Sequence, residues 1–282
     1  MKRKIIRLLA LFTAAVCLFS GCAPKQNGED GGSAKLQIYC FSAGKADAFL
    51  LWNDSFAVLI DTGESGFGKT IISFLKEQGI RRLDYLIITH FDKDHVGGAK
   101  KILESVEIGT VLQSNSPKDA SAYNKYVTAL QAQKINPVTV TGSDLKFTLD
   151  GVDFTVNPPA QAVYPEDESN NSSLIVSVIC GETRLLFTGD AEDLRLSEYL
   201  QTDPGHYDLV KLPHHGRWQA TLVDLLSKTT PSHAIITSSE EEPEDDATVA
   251  LLRESNTAAW LTRTAPIYIT SDGRTLTVTY DD

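Results

Sequence analysis

Cysteine is scarce and never paired along the chain: four residues in 282, none in a C-x-x-C arrangement, which argues against a thiolate zinc site. Positive charge is also short. Lys and Arg number 26 against 37 Asp and Glu, a formal charge of −11, so a general nucleic-acid- or membrane-binding surface is not expected. Any nucleic acid would have to be held by metal ions or by a local patch. The apolar run of residues 8–19 falls short of the roughly 20 residues a spanning helix needs. No solenoid-type repeat is present, and no linker-like stretch interrupts residues 36–282, which read as one domain. Apolar residues make up 42% of the chain, an ordinary share that can fill a sizeable core.

The N-terminus carries an address. Lys2, Arg3, Lys4 and Arg7 precede the apolar run, which ends in Leu18-Phe19-Ser20-Gly21-Cys22. This resembles a bacterial lipobox, with Phe19 where Leu is more usual. Residues 1–22 therefore read as a lipoprotein signal peptide, cut before Cys22, the lipidation site. Residues 23–35, polar and Gly-rich, read as a flexible tether. The expected location is the extracellular face of the bacterial cell membrane, anchored through the lipid. Cys40 and Cys180 lie in apolar strand-like runs and read as buried small hydrophobes; an oxidising exterior permits a disulfide, but nothing in the sequence sets them close.

Strand-like and helix-like segments alternate from residue 36 on. Short apolar runs predict strands at 36–41, 48–52, 56–60, 83–89 and 108–112. Apolar stripes at helical spacing predict helices at 69–78, 97–104 and 123–133. The second half predicts hairpins around Asp150-Gly151, Gly181-Glu182 and Asp272-Gly273. Further strands are expected at 209–212 and 234–237, with helices at 194–200, 219–227 and 247–254, the last capped by Asp246. Two mixed halves of this kind imply an α+β, four-layer sandwich of two mixed sheets with helices outside.

The chemistry concentrates at strand ends. In Thr89-His90-Phe91-Asp92-Lys93-Asp94-His95-Val96-Gly97-Gly98, two histidines and two aspartates follow a buried strand within six positions. Imidazole and carboxylate suit zinc, manganese or iron, and a loop leaving a strand can gather side chains that a continuing strand would send to opposite faces. Asp61 ends another apolar run, Asp190 a third in Thr188-Gly189-Asp190, and His214-His215-Gly216 follows a fourth. One such case is usually a turn or helix cap; four in order indicate a metal site.

These motifs resemble the metallo-β-lactamase superfamily, and within it the hydrolase domain of ComEC-type DNA-uptake proteins and their free-standing relatives. Residues 43–48 (A-G-K-A-D-A) stand where relatives read G-Q-G-D-A, and Asn170-Asn171-Ser172-Ser173-Leu174 where they read N-N-x-S-L. The resemblance implies the metallo-β-lactamase fold, an αβ/βα sandwich, and two divalent metal ions, zinc first and manganese second. It implies that His90 and Asp92 hold one ion, that Asp94 and His95 hold the other, and that Asp190 bridges them. One of His214 and His215 completes the second position and the other meets a phosphate or leaving group; which does which stays open. Asp61 would orient a ligand histidine. Asn170 or Asn171 stands where many relatives have a further histidine, so the first ion would be held more weakly. Lys45 and Arg217 are candidate phosphate contacts.

The implied activity is hydrolysis by metal-activated water, with two ions clamping the attacking and leaving oxygens of a phosphodiester. Asp94, His214 and His215 are the residues expected closest to that chemistry. The expected partners are a phosphodiester or other surface substrate and the membrane reached through Cys22. No specific protein partner is implied, and net charge disfavours tight nucleic-acid binding. Departures from the family pattern fall elsewhere: Arg217-Trp218 follows H-H-G, and an acidic run over residues 240–246 replaces a histidine-containing segment. They leave open hydrolysis of another surface ester, such as choline phosphate or a lactone, or a degenerate surface-binding module.

Overall fold

A computed structural model of the protein describes residues 35–166 and 168–281. The signal peptide, Cys22 and nearly all of the tether lie outside the described residues. In chain order the first half comprises β1 (Leu36–Cys40), β2 (Phe49–Trp52), β3 (Ala57–Ile60), α1 (Gly68–Glu77), β4 (Arg82–Ile88), α2 (Lys93–Val96), α3 (Ala99–Leu103), β5 (Glu107–Gln113), α4 (Ser121–Gln133) and β6 (Val138–Thr139). The second comprises β7 (Leu145–Leu149), β8 (Val152–Asn157), α5 (Glu168–Asn171), β9 (Ile175–Cys180), β10 (Thr183–Phe187), α6 (Asp193–Leu200), β11 (Leu209–Lys211), a 3₁₀ turn (Pro213–Gly216), α7 (Thr221–Thr229), β12 (His233–Ile236), α8 (Asp246–Glu254), β13 (Ala258–Leu261), β14 (Ile267–Ser271) and β15 (Leu276–Tyr280).

These strands form two sheets, ordered β15-β14-β1-β2-β3-β4-β5-β6 and β13-β12-β11-β10-β9-β8-β7. Their inner faces bury one apolar layer that includes Phe49, Val58, Ile87, Phe154, Val176, Phe187 and Ile235. The outer face of the first sheet packs on α1, α3 and α4 through Leu59, Ile71, Leu75, Ile102 and Tyr126. The outer face of the second packs on α6, α7 and α8 through Leu186, Leu196, Leu225 and Leu252. The result is the expected four-layer sandwich of two mixed sheets with helices outside. Cys40 and Cys180 are both buried free thiols.

Each sheet contains a run of four parallel strands, β3-β4-β5-β6 and β10-β11-β12-β13. Parallel neighbours end on the same side, and in open α/β sheets that carboxyl edge is where sites form. Asp61, His90, Asp190, His214, His215 and Thr237 all follow such strand ends.

Three local expectations are corrected. The helix expected over 97–104 is present as α3 but starts at Ala99, and the metal-motif loop before it carries an unexpected short helix, α2; Gly98 N–H between them turns away to bond Gly63 O at 3.1 Å. Asp246 does not cap α8; it lies inside the helix, and Asp245 before it accepts from Trp218 N–H at 2.7 Å. The edge strand β13 was not foreseen: its Ala258 and Ala259 are exposed and lack the alternation of a half-buried strand.

Gly98 seals the loop that carries the histidines. A Cβ there would stand 2.3 Å from Thr62 O, so the backbone must move. Gly98→Ala is expected to cost about 1–3 kcal/mol, the usual range for overpacking, read as a lowered urea midpoint with an unchanged slope.

Candidate metal centre

Four side chains from three separate segments converge: Asp94 and His95 from α2, Asp190 after β10 and His215 after β11 present one ligand atom each, all within 4.8 Å of one another. His95 Nε2 stands 3.2 Å from Asp190 Oδ2. His215 Nε2 stands 3.0 Å from that same oxygen and 3.4 Å from Asp94 Oδ2. Ligands about 2.0–2.2 Å from a tetrahedral zinc ion lie about 3.3–3.6 Å from each other, so these separations fit one shared ion.

The imidazoles are held in the tautomer that such an ion requires. His95 Nδ1 faces Asp61 Oδ2 at 2.8 Å, and Asp61 is fixed in turn by Thr89 N–H at 2.8 Å and Thr89 Oγ1 at 2.6 Å. His215 Nδ1 meets Thr237 Oγ1 at 2.9 Å, while that hydroxyl donates to Asp47 Oδ1 at 2.6 Å. His90 Nδ1 lies 3.2 Å from Thr89 Oγ1 and 3.4 Å from Ser173 Oγ. Each Nδ1 thus has an oxygen partner, whereas Nε2 of His90, His95 and His215 is buried with no hydrogen bond. Buried polar atoms are nearly always satisfied. Three unsatisfied imidazole nitrogens beside carboxylates fit a metal centre.

Charge points the same way. Asp47, Asp61, Asp94 and Asp190 crowd a region whose one buried ammonium is Lys211, 2.5 Å from Asp47 Oδ2 and 3.4 Å from Asp190 Oδ1. An excess of buried carboxylates is costly unless cations offset it. Burial opposes charge on His95 and His215, but the surrounding carboxylates, Asp190 foremost, raise both above the ordinary histidine value. Burial lowers the pKa of His90 to about 4, with neighbouring His95 adding to the effect, which keeps its imidazole neutral. Burial resists ionisation of Asp190, yet His215, His95 and Lys211 hold its carboxyl well below the ordinary range.

The structure separates the two adjacent histidines. His215 is buried and joins the donor group, whereas His214 is partly exposed and faces Glu192 Oε1 at 2.9 Å. This divergence needs unusual backbone: His214, His215 and Gly216 take φ of 46°, 56° and 75°, three consecutive left-handed residues of the strained kind that gathers at functional sites. Gly216 is required there, since a Cβ would lie 2.8 Å from Ile236 Cγ2.

Other expected site residues sit further out. Asp92 Oδ1 accepts from Lys118 Nζ at 2.5 Å and from Ser169 Oγ, so its charge already has partners. Asn170 donates to Glu192 at 2.8 Å and leaves Oδ1 buried without a hydrogen bond. Asn171 serves the scaffold instead: Oδ1 accepts from Arg195 N–H at the start of α6, and Nδ2 donates to Glu166 O. Lys45 and Arg217, each two residues along the chain from a residue of the cluster (Asp47 and His215), both approach Glu242.

Asp47, Thr237 and Lys211 were not singled out as site residues. Asp47 was visible within residues 43–48, and a lysine inside the apolar run 209–212 was a legible sign of a buried charge partner. Thr237 carried no signal.

Residues 42–237 match the family model described as the metallo-beta-lactamase superfamily, and the chain belongs to that superfamily. Within it the chain resembles competence-type proteins. It is 29% identical over 212 residues to "Recombination protein 2" of Haemophilus influenzae, covering 73% of this chain and 25% of that protein. It is 29% identical over 169 residues to "ComE operon protein 3" of Bacillus subtilis, covering 60% and 21%. The chain spans about a quarter of the length of these curated relatives. The metallo-beta-lactamase fold protein YhfI of Bacillus subtilis superposes with a TM-score of 0.56 at 9% identity, covering 86% of this chain and 99% of that one. The chain thus has the fold of a superfamily metal-dependent hydrolase, with clustered His and Asp residues able to bind two metal ions.

His215→Ala is expected to lose tightly bound metal, whereas His214→Ala keeps it, as counted by elemental analysis of the purified protein. Because His95 and His215 bind protons more readily than ordinary histidines, protons compete with the ion. Metal affinity, measured against a chelator, should therefore fall as pH is lowered from 8 to 6, by on the order of tenfold per pH unit for each proton displaced.

Proposed function

We propose that this protein is an exported, lipid-anchored, metal-dependent phosphodiesterase acting at the outer face of the cell membrane. The observation that carries the reading is the convergence of Asp94, His95, Asp190 and His215, with histidine Nε2 atoms left free of hydrogen bonds. Asp94, His95, Asp190 and His215 would hold one divalent ion; His90 and Asp92 would contribute to holding a second. Ions bound there supply Lewis-acid charge and make water acidic enough to react near neutral pH.

The protein's own residues do the rest. Asp61 and the Thr237–Asp47 pair orient His95 and His215. Lys211 offsets the charge of Asp47 and Asp190 from beneath, donating also to Gly189 O at 2.9 Å. His214, partly exposed and paired with Glu192, is placed to meet a leaving group. A phosphodiester suits this arrangement because its two non-bridging oxygens can span two ions. Among the described residues no helix is long and apolar enough to cross a membrane; attachment in this reading comes from lipid on Cys22. Nucleic acid remains a candidate substrate class, with zinc or manganese as the ions.

Asp94→Ala should reduce hydrolysis of bis(p-nitrophenyl) phosphate by more than the roughly 10–100-fold that loss of an outer hydrogen-bond partner costs; Asp47→Asn should fall within that range. Equal turnover by Asp94→Ala and the parent protein would refute the proposal.

A further inference from the structure

The acidic run that follows β12 has a fixed frame and one outlying member. Arg263 holds Glu240 at 2.8 Å and Glu244 at 3.1 Å. Ser238 donates to Glu244 at 2.7 Å, and Asp245 accepts from Trp218 N–H. Asp245 N–H returns to Gly216 O at 3.2 Å. The loop therefore leaves Thr237, which orients His215, and comes back to the glycine that follows His215. Glu242 is held differently. Its backbone closes a short turn with Ser239, while its side chain, 57% exposed, reaches toward Lys45 and Arg217.

One oxygen of Glu242 stands between two cations, 3.9 Å from Lys45 Nζ and 4.0 Å from Arg217 Nη2. Lys45 lies two residues before Asp47 and Arg217 two residues after His215. Both cations thus belong to the segments that build the cluster. Lys45 is also sheltered, its side chain 17% exposed. In a chain of net charge −11, two cations converging beside buried carboxylates are available to a substrate anion. The contacts to Glu242 are longer than hydrogen bonds and partly solvated, a class of ion pair that contributes about 0–1 kcal/mol. A bound carboxylate of that kind is readily exchanged for another anion.

We infer that Lys45 and Arg217 form an anion subsite beside the metal centre, which Glu242 fills in the free protein and which takes the phosphate adjoining the scissile one in a polyanionic substrate. This rests on the phosphodiesterase reading for the identity of the anion. A substrate with a single phosphate leaves Glu242 in place and gains nothing from the two cations, so the subsite favours longer substrates over it. The two cations orient the chain of a longer substrate. Arg217 suits a phosphate because its planar guanidinium can meet two oxygens at once.

The test is binding of a hydrolysis-resistant thymidine trinucleotide with phosphorothioate linkages to the metal-loaded full chain, followed by calorimetry at low ionic strength. Glu242→Gln is expected to tighten binding about three- to fivefold, matching removal of one surface ion pair. Adding Lys45→Gln or Arg217→Gln should abolish that gain, and the gain should fade in high salt. Unchanged or weaker binding by Glu242→Gln, no binding by either protein, or a gain that persists without the cations overturns the subsite. If the gain appears and depends on both cations, yet the parent protein turns over no phosphodiester, the subsite stands and the phosphodiesterase reading falls.

Discussion

The structure is organised around a local excess of buried negative charge. Three buried aspartates, Asp47, Asp61 and Asp190, and the partly exposed Asp94 gather where one lysine is buried with them. Such a concentration is unstable in a low-dielectric interior unless cations and hydrogen bonds offset it. The neighbouring residues answer that constraint. Lys211 spans two of the acids, Thr89 and Thr237 tie two of them to histidines, and the histidines face inward with Nε2 free. Remove the ion-binding purpose and the arrangement becomes a set of unsatisfied nitrogens beside crowded carboxylates.

The scaffold makes that concentration attainable. Two runs of parallel strands end at one edge, and each contributes side chains just past its strand ends. The donors come from segments far apart in sequence, α2 and the turns after β10 and β11, and the two histidines are each fixed by an outer partner. Outer partners of this kind set ligand orientation and commonly matter almost as much as the ligands. The strain sits where the two sheets' contributions meet, at the left-handed His214 and His215 and at Asp61 with φ of 55°. The two apolar faces of each sheet, closed inside by the other sheet and outside by helices, supply the rigidity that holds those conformations.

Much of this was legible in the sequence, for reasons that can be named. Strand cores such as residues 83–89 and 209–212 are continuous apolar runs, so the polar residues just past them stood out. The donor types, and their order along the chain, pointed to metal before any fold was known. What the sequence could not resolve was geometry set by backbone dihedrals: which of His214 and His215 turns inward depends on three successive positive φ angles. It also could not show that Asn171 serves α6, or that Asp92 is already engaged by Lys118 and Ser169. The exposed, two-alanine start of β13 and the short helix α2 ahead of α3 were hidden for similar reasons, since both depend on neighbours distant in sequence.

The central claim is that Asp94, His95, Asp190 and His215 share an ion. Anomalous diffraction at the absorption edge of the metal found in the purified protein tests it most directly. The expected result is a peak within bonding distance of all four side chains. A metal-loaded crystal with no peak there, or with its strongest peak elsewhere, would contradict the account.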